Sequence, residues 1–257
     1  FHNFEHASHV AQSANKLMQQ IVTANYGLVS DEGQHTYSLG LSSDPLAQFA
    51  VVFAALIHDC DHSGVPNATL VDEQADVAIK YANRSPAEQN SVELAWELLM
   101  ESQYNELRKC IFPDVSEMHR FRQLVVNCVI ATDIADADLR NERKKRWCDV
   151  FSVEHASLLE GEGMRRKATI VIDHIIQASD IAHTMQHWSV YIKWNEKLFL
   201  ELYKSYKEGR SGVDPAGNWF NGEIGFSIVN QIKNLETFFF KLVKINFDFG
   251  IYLIENE

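Results

Sequence analysis

The chain is poor in the residues that staple, break or divide a fold. Its 257 residues include four cysteines, Cys60, Cys110, Cys128 and Cys148, and no two of them form a CxxC pair. That usage argues against a disulfide framework or a zinc ribbon and for reduced, buried thiols in a cytosolic domain. Five prolines are scattered, with no Gly/Ser-rich or Pro-rich linker and no repeat at a fixed period, so nothing splits the chain in two. No signal peptide is visible, and the longest clean apolar run, Phe49 to Ile57, is too short to span a bilayer. Basic residues are the minority: 23 Lys and Arg stand against 35 Asp and Glu, a formal net charge of -12. Such a balance repels polyanions and disfavours binding to nucleic acid or an anionic membrane through a basic face. A small anionic substrate would need a local positive focus, which a metal ion can supply.

Alternating apolar and polar runs with hairpin turns are also missing, and helical spacing fills nearly the whole chain. After His6 come Val10, Ala14, Leu17 and Ile21, steps of three and four that keep one face inward. The stretch QFAVVFAALIHD is apolar all round and predicts a buried helix carrying His58 and Asp59 at its C-terminal end. In SPAEQNSVELAWELLM, Ser85 reads as a capping residue, Pro86 as the first helical position and Glu88 as the acid of the first turn. The long segment from Arg166 to Tyr206 continues the periodicity without interruption. The expectation is an all-α domain of about eight to ten helices over residues 1–257.

Chemistry-bearing residues stand out against this apolar ground. His2 and His6 are four positions apart, a spacing that one helical turn would bring together. His58, Asp59, Asp61 and His62 end the apolar helix, where charge is costly unless something compensates it. Adjacent imidazole and carboxylate can reach one divalent ion, although a polar helix end running into a loop would look the same. Asp180 sits among Ile175, Ile176, Ala178, Ile181 and Ala182, and a carboxylate in such company is rarely left unpaired. Three predicted helices thus each present a ligand-type cluster in apolar surroundings. Two histidines and two carboxylates suit a divalent ion, and Asp59 can bridge to a second, oxygen-loving one.

The ordered set FHNFEH, HDCDHSGVPN, ATDI and QASDIAH resembles the catalytic domain of the class I 3′,5′-cyclic nucleotide phosphodiesterases, within the wider HD phosphohydrolases. The likeness runs from residue 1 to about Phe226, and the chain reads as cut at the edge of the catalytic motif. The segments SPAEQNSVELAW and QASDIAHTMQHW look like the branch in microbial eukaryotes, where the domain is sometimes fused to a nucleotide cyclase. The resemblance implies a first, zinc-like ion held by His6, His58, Asp59 and Asp180. It implies a second ion, Mg²⁺ or Mn²⁺, bridged by Asp59 and otherwise held by waters that His62, Glu88 and Thr132 position. His2 matches the histidine that protonates the leaving 3′-oxygen, and Leu198 and Phe226 match the apolar pair that clamps the purine.

On that resemblance the domain would hydrolyse cAMP, cGMP or both to 5′-monophosphates in signal termination. Two ions would neutralise the phosphodiester and hold a hydroxide for in-line attack, with a histidine as acid for the basic leaving oxygen. The partner is then a small cyclic nucleotide, with no nucleic acid polymer and no membrane contact by this fragment. A cytoplasmic domain is expected, with regulatory, cyclase or membrane-anchoring segments of the full-length protein lying outside it. Two alternatives stand beside it: another HD phosphohydrolase acting on nucleotides, and a catalytically impaired cyclic nucleotide-binding module.

The chain departs from the family pattern in its base-reading end. Glu223, in GEIGF, occupies the place of the purine-reading glutamine. An ionised carboxylate accepts hydrogen bonds but offers none, so preference between adenine and guanine stays open. Asn90 and Ser91 stand where paired histidines are often found, and His183 replaces an asparagine. After about residue 226 the tail is rich in Phe and loses the likeness.

Overall fold

Asn3 starts the first helix: its side-chain Oδ1 accepts from the backbone N–H groups of Glu5 and His6 at 3.0 and 3.1 Å. Such a cap satisfies two of the orphan donors of a helix N-terminus and is worth about 1 kcal/mol over alanine. The computed structural model describes residues 1–23, 31–151 and 161–216. Among them are eleven α-helices and no strand: α1 (Phe4–Val22), α2 (Asp31–Tyr37), α3 (Pro45–Ile57), α4 (Asn67–Asp72), α5 (Asp76–Lys80), α6 (Pro86–Met100), α7 (Asn105–Ile111), α8 (Val115–Ala131), α9 (Ala137–Val150), α10 (Gly161–Asp180) and α11 (Trp188–Lys207). The fold is all-α, as the spacing predicts. The helix count exceeds eight to ten because α4, α5 and α7 have only six, five and seven residues. Pieces so short carry too little periodicity to register as separate elements.

Helices α1, α3, α8 and α10 pack on one another and enclose the main core. Helix α1 turns Val10, Ala14 and Met18 inward, α3 contributes Ala50, Val51 and Ala54, α8 Phe121 and Val125, and α10 Ile175 and Ile176. Burying an aliphatic side chain of this size contributes about 1.5–3 kcal/mol. Small residues on α3 let α1 and α8 approach it from two sides. Helix α3 is not apolar-buried all round, since Phe49 and Leu56 remain partly exposed. A smaller cluster of Val65, Leu70 and Ala78 fastens α4 and α5 beneath the loop that follows His62.

Three local expectations are corrected. The segment from Arg166 to Tyr206 is not one helix: α10 stops at Asp180, a 3-10 turn covers Ala182–Met185, and α11 begins at Trp188. Ser85 occupies the position before α6 but does not cap it, because its hydroxyl donates elsewhere. Of the thiols only Cys128 is buried; Cys60 is half-buried, and Cys110 and Cys148 are exposed on the polar helices α7 and α9. No helix among the described residues is long and apolar enough to cross a membrane.

Candidate metal centre and acid–base site

Four side chains from distant parts of the sequence meet where α1, α3 and α10 converge. His6 projects from the first turns of α1, His58 caps the C-terminus of α3, Asp59 follows it, and Asp180 is the last residue of α10. His6 Nε2 lies 3.0 Å from Asp180 Oδ1 and 3.4 Å from Asp59 Oδ2. His58 Nε2 lies 3.0 Å from Asp59 Oδ2 and 3.4 Å from Asp180 Oδ1. One ligand atom from each of the four falls within 4.8 Å of all the others. The end of α10 at Asp180 belongs to this geometry, since it frees the carboxylate to meet both rings.

The donor set fits a divalent cation. His58 Nδ1 donates to the Ala55 carbonyl at 2.9 Å, which turns Nε2 toward the cluster. His58 Nε2 and Asp59 Oδ2 are both buried without a hydrogen-bond partner, although they stand only 3.0 Å apart. Buried polar atoms are normally paired, and two facing orphans are the arrangement that a shared ion satisfies. Burial would raise Asp180, but His58 and then His6 beside it hold it well below the carboxylate range. Burial would lower His58, but Asp59 and then Asp180 push it well above an ordinary imidazole. The two carboxylates therefore stay ionised, as ligands of a cation would be.

A second constellation stands beside the first and contains a residue that the sequence gave no reason to choose. Glu201, on α11, accepts from His2 Nδ1 through Oε1 at 2.6 Å and from the His2 backbone N–H through Oε2 at 3.0 Å. His2 precedes the Asn3 cap and so is not on α1; its ring is 6.0 Å from that of His6. The spacing of four is therefore not a helical pairing, and Glu201 rather than α1 orients His2. Burial would raise Glu201, yet the His2 hydrogen bond and charge bring it down to about 2. His62 lies against His2 with ring centroids 3.8 Å apart and planes tilted by 36°, and its Nδ1 accepts from the Gly64 N–H at 3.1 Å. Burial, helped by the charge of His2, takes His62 down to about 4, so it is neutral at pH 7. Gly64 has φ of +77°, and a Cβ there would lie 3.2 Å from Glu201 Cγ. Glycine is needed at this point for both backbone and space.

Glu88 and Thr132 sit on a third side. Glu88 accepts from Asn67 Nδ2 at 2.8 Å, and burial followed by the charge of Asp133 raises it to about 7. Thr132 ends α8, and its hydroxyl donates to the Val129 carbonyl at 2.7 Å. The unexpected members here are Asn67 and Asp133, although both lie inside the quoted motifs HDCDHSGVPN and ATDI. The two departures at Asn90 and Ser91 also face the metal-ligand turn. Asn90 donates to Asp61 at 3.3 Å, and the Ser91 hydroxyl reaches the Cys60 carbonyl at 2.8 Å.

The base-reading end is only partly described. Leu198 is half-buried on α11, one turn before Glu201. Glu223 and Phe226 lie outside the described residues. Trp194 is buried against Phe1, His6, His9 and His183, whereas Trp188 is largely exposed and is no core residue. Burial takes His183 down to about 4 against the opposing pull of Asp180. A cavity of about 470 Å³ opens beside His62, Gly64 and Glu201. Two cations on its wall are already engaged, Lys197 with Glu5 and Arg210 with Glu73.

The chain has known relatives. The family model for 3′5′-cyclic nucleotide phosphodiesterase matches residues 1–246. A probable 3′,5′-cyclic phosphodiesterase of Caenorhabditis elegans is 29% identical over 204 residues, 79% of this chain and 26% of its own length. A mouse dual specificity calcium/calmodulin-dependent 3′,5′-cyclic nucleotide phosphodiesterase is 24% identical over 206 residues, 79% of this chain and 25% of its own. The chain thus spans about a quarter of the curated relatives it matches. The crystal structure of the phosphodiesterase domain of a RhoPDE fusion protein from the choanoflagellate Salpingoeca rosetta superposes with a TM-score of 0.65. It has 21% identity and covers 99% of this chain and 76% of that one. With its family model matched from residue 1 to 246 and its fold shared with a solved member, the chain belongs to the 3′5′-cyclic nucleotide phosphodiesterase family.

Proposed function

We propose that this domain hydrolyses 3′,5′-cyclic nucleotides to 5′-monophosphates and so terminates a cyclic nucleotide signal. The observation that carries the reading is the placement of His2, held by Glu201, next to the convergence of His6, His58, Asp59 and Asp180. Those four would hold a zinc-like ion, and Asp59, together with His62, Glu88 and Thr132, would help to hold a second, Mg²⁺ or Mn²⁺. Divalent ions there supply Lewis-acid neutralisation of the phosphodiester oxygens.

The chain's own residues supply the rest. A phosphodiester ester oxygen leaves as a strongly basic alkoxide unless it takes a proton as the bond breaks. The Glu201 carboxylate occupies His2 Nδ1, so Nε2 is the nitrogen available to give that proton to the ribose 3′-oxygen. His62, neutral at pH 7, lies against the same ring and limits its rotation without adding charge. Leu198 and Phe226 would clamp the purine, with Glu223 at its edge. A relative named for dual specificity supports testing both bases together.

The deciding experiment incubates the purified chain with cAMP, cGMP and nucleoside triphosphates in Mg²⁺, with and without chelator. The expected result is chelator-sensitive release of 5′-monophosphate. Turnover of triphosphates alone would transfer the site to another HD phosphohydrolase class. Cyclic nucleotide binding without product in saturating Mg²⁺ would make the chain a binding module.

A further inference from the structure

We propose that Asp133 is a positioning residue that fixes the amide of Asn67 so that it presents N–H, not oxygen, to Glu88. The inference rests on the reading that Glu88 helps to hold an ion bound through Asp59. Asn67 Nδ2 has two protons and two acceptors, Glu88 Oε2 at 2.8 Å and Asp133 Oδ2 at 3.1 Å. Its Oδ1 accepts from the Ala87 N–H at 3.1 Å. A flipped amide would aim oxygen at two carboxylates and N–H at N–H, so this orientation is fixed.

Asp133 is in turn held from several sides. It is 5% exposed. Its Oδ2 also accepts from the Ser85 hydroxyl at 2.7 Å and its Oδ1 from the Asp136 N–H at 3.2 Å. Its backbone carbonyl accepts from Arg143 Nη2 at 2.8 Å. Ser85 adopts φ of 38°, a left-handed conformation unusual for a residue with a side chain, and spends its hydroxyl on Asp133 instead of capping α6. Local strain kept for one buried hydrogen bond points to a geometry that function needs. The chain Ser85–Asp133–Asn67–Glu88 ties α6, the α4 entry and the end of α8 into one rigid wall of the site. Direct hydrogen-bond partners of metal ligands typically set metal affinity by tenfold to a hundredfold; Asn67 stands one bond behind Glu88 and Asp133 two, so their effect is expected at or below the lower end of that range.

The test compares wild type, Asp133→Asn, Asn67→Ala and the double variant. Each is stripped of metal and titrated with Mn²⁺ under EPR detection, with kcat, KM and Tm measured in parallel. Each single variant is expected to weaken the looser Mn²⁺ site by a few-fold to about tenfold and to lower kcat with KM little changed. The double variant should bind Mn²⁺ no worse than Asn67→Ala alone, because Asp133 acts through Asn67. An Asp133→Asn protein that loses Tm but keeps wild-type Mn²⁺ affinity overturns the proposal, as does a multiplicative loss in the double variant. Should Asp133→Asn not fold, Ser85→Ala removes one donor from the same oxygen. It must weaken Mn²⁺ binding in the wild-type background and not in Asn67→Ala; unchanged affinity overturns the proposal. A wild type that binds Mn²⁺ but hydrolyses no cyclic nucleotide sinks the functional reading, and the Mn²⁺ comparison still decides on Asp133. A wild type that binds no Mn²⁺ sinks both.

Discussion

Glu201 holds His2 across 199 positions of sequence, with Oε1 on the ring nitrogen at 2.6 Å and Oε2 on the backbone N–H at 3.0 Å. One carboxylate therefore sets both the place of the backbone and the rotation and tautomer of the ring. Its pKa near 2 keeps it charged throughout the working range. His2→Ala should lower kcat about 10²–10⁴-fold, the usual worth of a general acid, and leave bound metal unchanged by elemental analysis. Glu201→Gln should lower kcat by a smaller factor, and adding it to His2→Ala should cost nothing more. Wild-type kcat in His2→Ala would end the acid assignment.

Asp180 touches both imidazoles of the four-ligand cluster. Asp180→Ala or His58→Ala should remove metal and activity together. Chelation should lower the Tm of wild type but not of Asp180→Ala, since only a protein that binds the ion gains stability from it. A variant that keeps full metal content while losing activity would remove Asp180 from the ligand set.

Asp173 supplies a pH dependence well away from the ligands. It is 4% exposed, and among the described residues Oδ1 has no partner and Oδ2 has Arg146 at 3.5 Å. Burial raises it from 3.8 to about 7, against the weaker pull of Arg146 and Arg143. The unfolded chain releases this proton near pH 4 and the folded chain near pH 7, so the folded state binds more protons between them. Stability from this group is therefore full below pH 4 and falls as pH rises to 7, by up to about 4 kcal/mol. Denaturant unfolding at pH 5 and pH 8 should show the larger part of that fall, about 2–3 kcal/mol, in wild type and a smaller one in Asp173→Asn. Equal slopes in the two proteins would mean Asp173 is already charged in the fold.

Gly64→Ala should do two things that Gly209→Ala separates. Both glycines have positive φ, +77° and +75°, and each substitution carries a backbone cost of about 1–2 kcal/mol. Only at Gly64 does the new Cβ press on a neighbour, Glu201 Cγ at 3.2 Å; at Gly209 nothing lies within 4 Å. Both variants should lose Tm, and only Gly64→Ala should lose kcat. A loss of kcat in Gly209→Ala would indicate a general loosening instead.

Legibility in the sequence followed the range of the forces involved. Helical periodicity is local, so the all-α class and the inward face of α1, with His6, Val10 and Ala14, were readable from spacing. The break between α10 and α11 was not: no glycine or proline marks it, and the apolar pattern runs straight through Asp180 to Tyr191. Ser85 shows the same limit from the other side. Its sequence context signals a cap, and a buried carboxylate from α8's end won the hydroxyl instead.

What the sequence determined by itself is the inventory: helices long enough to enclose one core, and His6, His58, Asp59 and Asp180 standing in apolar surroundings that make lone charge expensive. Residue type and local spacing suffice for that. Tertiary structure alone decided which of these groups share an atom's-width of space, and which unheralded partners hold them. Glu201 carries no pattern in the chain, and Asn67 and Asp133, although inside HDCDHSGVPN and ATDI, show nothing there of what they bind. Their roles come from hydrogen bonds that close over 199, 21 and 66 positions, and such bonds are fixed by packing rather than by neighbours in sequence.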